Sequence, residues 1–161
     1  FKYLIDAMLH LEKSHGGRYH VACFGAGAFI REEREAIAAK GLSHRFYFHD
    51  FVPDTAPYMK ACDLIVMPSL WEACPLQPME VLSAGVPFVA SDCLGLREVC
   101  EHTPAVMISA GNTQALIDGI LAIEQKPKKV FEEFSPIAKE RYDIQKTFIA
   151  IKQLYADILA K

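Results

Sequence analysis

Five short apolar runs alternate with segments of helical spacing, and that alternation restricts the fold more than any other feature of the chain. The runs are "YHVACFG", "HRFYFHDFV", "CDLIVMP", "VPFVASD" and "PAVMIS". They are rich in the β-branched and aromatic residues that suit a pleated, packed surface. "CDLIVMP" is continuously apolar, as a strand covered on both faces must be. Helical segments lie between them. "AFIREEREAIAAKG" is charged and amphipathic and closes at Gly41. Asp54 is placed to cap a short helix reaching Lys60. "QPMEVLSAG" has Pro78 in its first turn and stops at Gly85, and "LREVCEH" is a further short helix. Strands joined through helices must pair in parallel, with helices on both faces. The predicted fold class is therefore α/β: a doubly wound, Rossmann-like parallel sheet of about five strands with flanking helices, in one domain spanning 1–161.

The two ends of the chain read as helical. In "KYLIDAMLHLEKSHGG" the apolar positions 4, 5, 8 and 11 share one face, and Gly16 and Gly17 end the run. A doubly wound domain normally opens on a strand, so a first strand is expected upstream. After the last strand, Asn112 caps "TQALIDGILAIEQK". Beyond Lys126, "PKKVFEEFSPIAKERY" reads as short helical pieces. Asp143 then caps a long amphipathic helix, whose stripe of Ile144, Phe148, Ile151, Tyr155 and Ile158 is predicted to be core.

Charge and cysteine usage exclude several function classes. The net charge of −3, from 17 basic and 20 acidic residues, is too mild to direct the chain to nucleic acid or an anionic membrane. The five cysteines form no C-x-x-C pair, and the six histidines are scattered, so no metal site is predicted. Cysteines set in apolar runs behave as small hydrophobes, which points to a reducing, cytoplasmic compartment. No apolar stretch is long enough to span a bilayer.

Ligands of such sheets sit beyond the carboxyl ends of the strands, where three loops qualify. In "GAGAF", Gly25 and Gly27 half match a dinucleotide fingerprint, but Ile30 stands where a third small residue belongs. A tight turn needing glycine is the simpler reading. An NAD(P)-binding oxidoreductase domain stays open as the alternative. "SDCLG" is the second loop. The third, Met67 to Pro78, carries more chemistry. Pro68 ends a strand, and Pro75 and Pro78 bend a turn. The amides near Leu76 and Gln77 then lie at a helix amino end, where they have no intrahelical partner and the dipole favours an anion. A phosphate fits there. Glu72 and Glu80 flank this turn, and an ionised carboxylate, acceptor only, suits the paired hydroxyls of a sugar or ribose. Taken alone, Glu80 reads as a helix-start acid worth about 0.3–1 kcal/mol. Glu72, between Trp71 and Ala73 in an apolar loop, has no such structural excuse. Trp71 itself is predicted to pack. His49 and Asp50 read as loop-capping residues, Glu98 as a surface acid, and Ser69 lacks the setting of a catalytic nucleophile.

These residues also carry a resemblance. "PSLWEACPLQPMEVLSAGVPFVASDCLGLREV" resembles the signature of retaining glycosyltransferases of family four, which have the GT-B fold. Pro68, Ser69, Glu72, Glu80, Gly85, Pro87, Val89, Ser91, Gly95 and Glu98 fall in register with it, including the E-x7-E pair. "VACFGAG" and "RFYFHDFVPD" look like earlier strands of that family, and "AGNTQALIDGI" like the segment after the last strand. The resemblance implies a carboxy-terminal domain that binds a nucleoside-diphosphate sugar as donor, with an amino-terminal acceptor-binding half as its partner. It implies that Glu72 holds hydroxyls of the transferred sugar and that Glu80 binds the ribose. Cys74, Pro75, Leu76 and Gln77 would form the turn facing sugar and diphosphate, with Pro75 lacking an amide hydrogen to give. Phe51 and Val52 would form the rim against the base, and Gly25 would border the nucleotide. No cofactor or metal is implied. The isolated chain is expected to be inactive, and its last helix, cut free from the other half, to allow weak self-association. Peripheral contact with the inner face of a membrane is expected only through the full-length protein.

Overall fold

The computed structural model describes residues 1–160. In chain order the elements are α1 (Lys2–His15), β1 (Val21–Phe24), α2 (Ile30–Ala39), β2 (Phe46–His49), α3 (Ala56–Ala61), β3 (Ile65–Met67), α4 (Gln77–Ala84), β4 (Phe88–Ser91), α5 (Leu96–Cys100), β5 (Val106–Ile108), α6 (Thr113–Glu124), α7 (Lys128–Arg141) and α8 (Ile144–Leu159). Every strand pair is parallel, with Val21 opposite Phe46, Ile65 opposite Phe88 and Val89 opposite Val106. The α/β, helix-flanked architecture read from the alternation is therefore present.

The strands do not form one sheet. They form a pair, β1–β2, and a triplet, β3–β4–β5. Between β1 and β3 lies a cavity of about 720 Å³, so each of these strands has a free edge facing the other. α1 spans the interval. Its Leu4, Ile5, Met8 and Leu11, all buried, recur at helical spacing. Asp6 and Glu12 on the same helix pair with Lys40 at 3.0 Å and Arg45 at 2.8 Å, tying α1 to the β1–β2 side. The Arg45 hydrogen bond holds the Glu12 carboxyl below its ordinary pKa.

Two buried clusters cover the sheets. One joins α1 and α6 with residues of α2, β2, β4 and β5. The other packs Met59 of α3, Val81 of α4 and Leu96 of α5 against Phe88 and Ala90 of β4. β4 is buried along its whole length, as the middle strand of three must be.

Two of the three predicted caps form. Asn112 Oδ1 accepts from the Ala115 amide at 3.0 Å, and Asp143 Oδ1 from that of Gln145 at 2.9 Å. At α3 the N-cap is Thr55, without a side-chain cap; Asp54 lies one residue earlier, and its Oδ1 accepts from the Ala56 amide at 3.0 Å.

Two expectations fail after β5. The segment read as short helical pieces is one 14-residue helix, α7, with Pro136 inside it. Pro136 removes one backbone donor, but tertiary packing outweighs that loss. Phe131, Ser135 and Ala138 are buried, α7 packs along α4, and Ser135 Oγ donates to the Ser83 carbonyl at 2.6 Å. The end of α7 is fastened to α5, where Tyr142 Oη donates to the Val99 carbonyl at 2.7 Å. The stripe on α8 is not core. No α8 residue is buried, and Phe148, Ile151 and Tyr155 are 59%, 49% and 64% exposed. Amphipathic spacing records that a face needs a partner, and no described element covers this one.

Candidate functional site

The β3–α4 connection collects most of the predicted residues on one short stretch. Pro68 leaves β3, and Ser69 Oγ donates to Glu72 Oε1 at 2.8 Å. Glu72 is half-buried with its carboxylate held by this bond. Cys74 is an exposed free thiol, and Pro75 is buried as the apolar anchor of the turn. Leu76 takes the N-cap position of α4 and supplies no side-chain cap, Gln77 begins the helix, and Pro78 lies in its first turn. The amino end of α4 thus keeps amides without a side-chain acceptor, the setting that favours an anion. Glu80 sits in that first turn, exposed, and its carboxylate makes no hydrogen bond or ion pair among the described residues.

The loop is braced from behind by the β4–α5 turn. Gly95 has φ +74, and a Cβ placed there would lie 2.6 Å from the carbonyl oxygens of both Glu72 and Ala73. Glycine therefore serves two purposes here: a left-handed backbone, and a close approach that no side chain permits. The sequence marks Gly95 by its place in "SDCLG" and in the signature it resembles; its contact with the Glu72 backbone is visible only in three dimensions. The same turn contains an ion pair that the sequence analysis missed, Arg97 Nε to Asp92 Oδ1 at 2.6 Å, which raises the Arg97 pKa chiefly through its hydrogen bond. The five-residue separation across a turn gives no helical or strand periodicity to reveal it.

Trp71 does not pack as expected. It is 67% exposed, and Leu70, Leu76 and Leu94 are exposed with it. The loop is held through Pro75 and its own backbone at Gly95, which leaves the indole free.

The remaining predicted residues lie at the carboxyl ends of β1 and β2. Phe51 is exposed and Val52 half-buried. Gly25 has φ +123, its amide donates to the His49 carbonyl at 3.2 Å, and open space lies where a Cβ would be. It is a turn glycine, as the simpler reading held. His49 does more than cap a loop. Its ring stacks on Phe24 at 4.8 Å and 18°, and Phe24 also meets Tyr58 at 4.8 Å. This set of rings links β1, β2 and α3. Neither Glu72 nor Glu80 borders the large cavity between the sheets; of the predicted residues only Gln77 does.

Known proteins are similar to this chain. The chain is 28% identical over 141 residues to the lipopolysaccharide core biosynthesis mannosyltransferase LpsB of Rhizobium meliloti, which covers 82% of this chain and 39% of LpsB. It is 37% identical over 98 residues to the 2-deoxystreptamine N-acetyl-D-glucosaminyltransferase of Streptomyces fradiae, which covers 59% of this chain and 23% of that protein. Among solved structures, Anabaena Alr3699/HepE in complex with UDP-glucose superposes with a TM-score of 0.81 at 26% identity, over 99% of this chain and 44% of HepE. Sucrose-phosphate synthase from Thermosynechococcus elongatus shares the fold, with a TM-score of 0.84 at 20% identity over 98% of this chain and 42% of that one. The chain thus spans less than half the length of each of these proteins. A family match over residues 1–126 takes in every strand and the whole β3–α4 connection, and the chain belongs to the family glycosyl transferases group 1.

Proposed function

We propose that residues 1–161 are the donor-binding, carboxy-terminal domain of a retaining glycosyltransferase with the GT-B fold, and that the full-length enzyme transfers a sugar from a nucleoside diphosphate to an acceptor hydroxyl. The observation that carries this reading is the β3–α4 connection: one short loop offers a Ser69-held carboxylate at Glu72, an uncapped helix amino end, and an unpaired carboxylate at Glu80. Glu72 accepts from hydroxyls of the transferred sugar, and its bond from Ser69 fixes its orientation before the donor arrives. The amides about Cys74, Leu76 and Gln77 face the diphosphate, whose charge grows as it leaves. Glu80 accepts from the ribose, and Phe51 and Val52 form the rim for the base, with Gly25 shaping the adjacent turn. HepE, which was solved with UDP-glucose, supports a nucleotide-sugar donor. No cofactor enters the proposal, and nothing observed favours the NAD(P) alternative, because Gly25 serves its turn and the family match lies elsewhere.

A panel of UDP-, GDP- and ADP-sugars screened by saturation-transfer NMR tests the reading. Glu80→Ala is expected to weaken the best ligand by roughly 1–3 kcal/mol, the scale of hydrogen bonds to a charged acceptor, which is about a 5- to 150-fold rise in Kd. Unchanged affinity would return Glu80 to the role of a helix-start acid.

The partner of this domain is the amino-terminal acceptor-binding half, and without it the chain is expected to be inactive. The uncovered stripe on α8 supports weak self-association of the isolated chain. Sedimentation velocity is expected to show a concentration-dependent dimer that Phe148→Glu abolishes; a monomer at all concentrations would remove this part of the proposal. Five free thiols, two of them buried, support a cytoplasmic setting. No helix among the described residues is long and apolar enough to cross a membrane, and membrane contact is assigned to the full-length protein alone.

A further inference from the structure

Trp71 is the large side chain of the β3–α4 connection to which donor binding gives no task. It is the only tryptophan of the chain, and it is 67% exposed, although an indole is among the side chains that gain most from burial. The backbone that carries it is fixed. Pro75 is buried, Ser69 Oγ donates to Glu72 Oε1 at 2.8 Å, and the Glu72 and Ala73 carbonyl oxygens lie 2.6 Å from where a Gly95 Cβ would be. Leu70, on its other side, rests against the turn after β5, where a Cβ on Gly111 would meet Leu70 Cδ2 at 3.3 Å. The indole therefore stands out from a loop that is held at both ends.

Apolar and charged groups alternate around it. The contact at Gly95 brings the β4–α5 turn alongside, with Leu94 exposed between Asp92 and Arg97, whose side chains pair at 2.6 Å. Glu72 follows Trp71 directly, and Leu76 is exposed ahead of Glu80 in the first turn of α4. Three carboxylates and one guanidinium thus border four apolar side chains. That balance argues against two occupants. The anionic surface of a bilayer is repelled by an excess of carboxylates. Four side chains also fall well short of the roughly 800 Å² a side of a standard protein interface. The balance suits a saccharide. A pyranose has a flat C–H face and an edge of hydroxyls. The face can rest on an aromatic ring, and the hydroxyls can donate to ionised carboxylates beside it.

We propose that Trp71 is the acceptor platform of this site: the acceptor is a saccharide whose apolar ring face lies on the indole, with one hydroxyl turned toward the sugar held at Glu72. The proposal rests on the donor-binding reading and names the class of acceptor. Adjacent Cα atoms are about 3.8 Å apart, so the platform and Glu72 are rooted within one ring's width. The Glu72 carboxylate turns back to Ser69 while the indole faces outward, which sets the acceptor on the open side of the transferred sugar. Trp71 acts by positioning, holding one hydroxyl of a many-hydroxyl acceptor at the reacting carbon. The amino-terminal half completes the acceptor site.

The test uses the 161-residue chain, in which Trp71 alone supplies the tryptophan emission. Methyl α-D-mannopyranoside and methyl β-D-glucopyranoside are titrated to about 50 mM, the weak end of measurable binding, with and without the nucleoside diphosphate that the chain binds best. At least one pyranoside is expected to shift the emission and to protect it from acrylamide quenching, with saturation transfer strongest on its C–H face. Trp71→Ala should weaken that pyranoside by roughly 3- to 10-fold, and Trp71→Phe should restore most of the loss. Nucleotide affinity should stay within about 2-fold of the parent in both variants. Emission that no pyranoside moves, or pyranoside binding that Trp71→Ala leaves intact, would overturn the proposal. So would emission moved instead by glycerol, by phosphatidylglycerol vesicles or by protein concentration alone. Absence of nucleotide binding overturns the donor reading, whereas nucleotide binding beside an indole blind to pyranosides overturns the platform alone.

Discussion

Replacing Gly95 by alanine is expected to destabilise the domain by about 3 kcal/mol and to disorder the loop that presents Glu72. The residue has φ +74, a conformation that costs a side-chain-bearing residue of order 1–3 kcal/mol. The added methyl would also lie 2.6 Å from two carbonyl oxygens, those of Glu72 and Ala73. Both belong to the main chain, so no rotamer change relieves the overlap; either the β3–α4 loop or the β4–α5 turn must move. At roughly 2–4 °C per kcal/mol for a domain of this size, thermal unfolding should shift down by about 6–12 °C. Donor affinity should fall further than in a core variant of equal stability, because the displaced backbone is that of Glu72 itself. A melting temperature within about 2 °C of the parent would show that the loop yields freely and that Gly95 is no brace.

Phe88→Ala is expected to have the largest effect on stability, about 3–5 kcal/mol in urea unfolding. The Phe88 side chain is fully buried on the middle strand of the triplet. It belongs to the cluster that holds Met59, Val81 and Leu96, one residue from each of α3, α4 and α5. Truncation removes the apolar area and leaves a cavity that three helices cannot close together. Phe88→Leu, which keeps most of the volume, should cost less than about 1.5 kcal/mol. A loss below about 1 kcal/mol for the alanine variant would mean that the cluster is not packed around this ring.

The regular elements were legible in the sequence wherever local chemistry decides them. The α1 stripe, the asparagine and aspartate caps, and the run of β4 each carry a spacing or a donor–acceptor need that short-range physics satisfies. Three failures share a cause. The segment beyond Lys126 read as short helical pieces, and packing on α4 makes it one helix through Pro136. The α8 stripe argued for burial, and Trp71 for packing, yet an apolar face states a demand without naming what meets it. The division into two sheets is of the same kind, since pairing partners are chosen across the chain and not along it. At the site, the acid pair and the proline-bent turn were readable because one loop contains them. The Ser69 bond, the Gly95 brace and the Asp92–Arg97 pair required the fold.

The fastening of α7 has a mechanical consequence. α8 stands clear of the body and hangs from the end of α7, which is pinned to α4 through Ser135 and to α5 through Tyr142. α4 and α5 start from the two loops that meet at Gly95. A pull on α8 is thus delivered to the end of α7 and, through Ser135 and Tyr142, to the two helices that leave those loops.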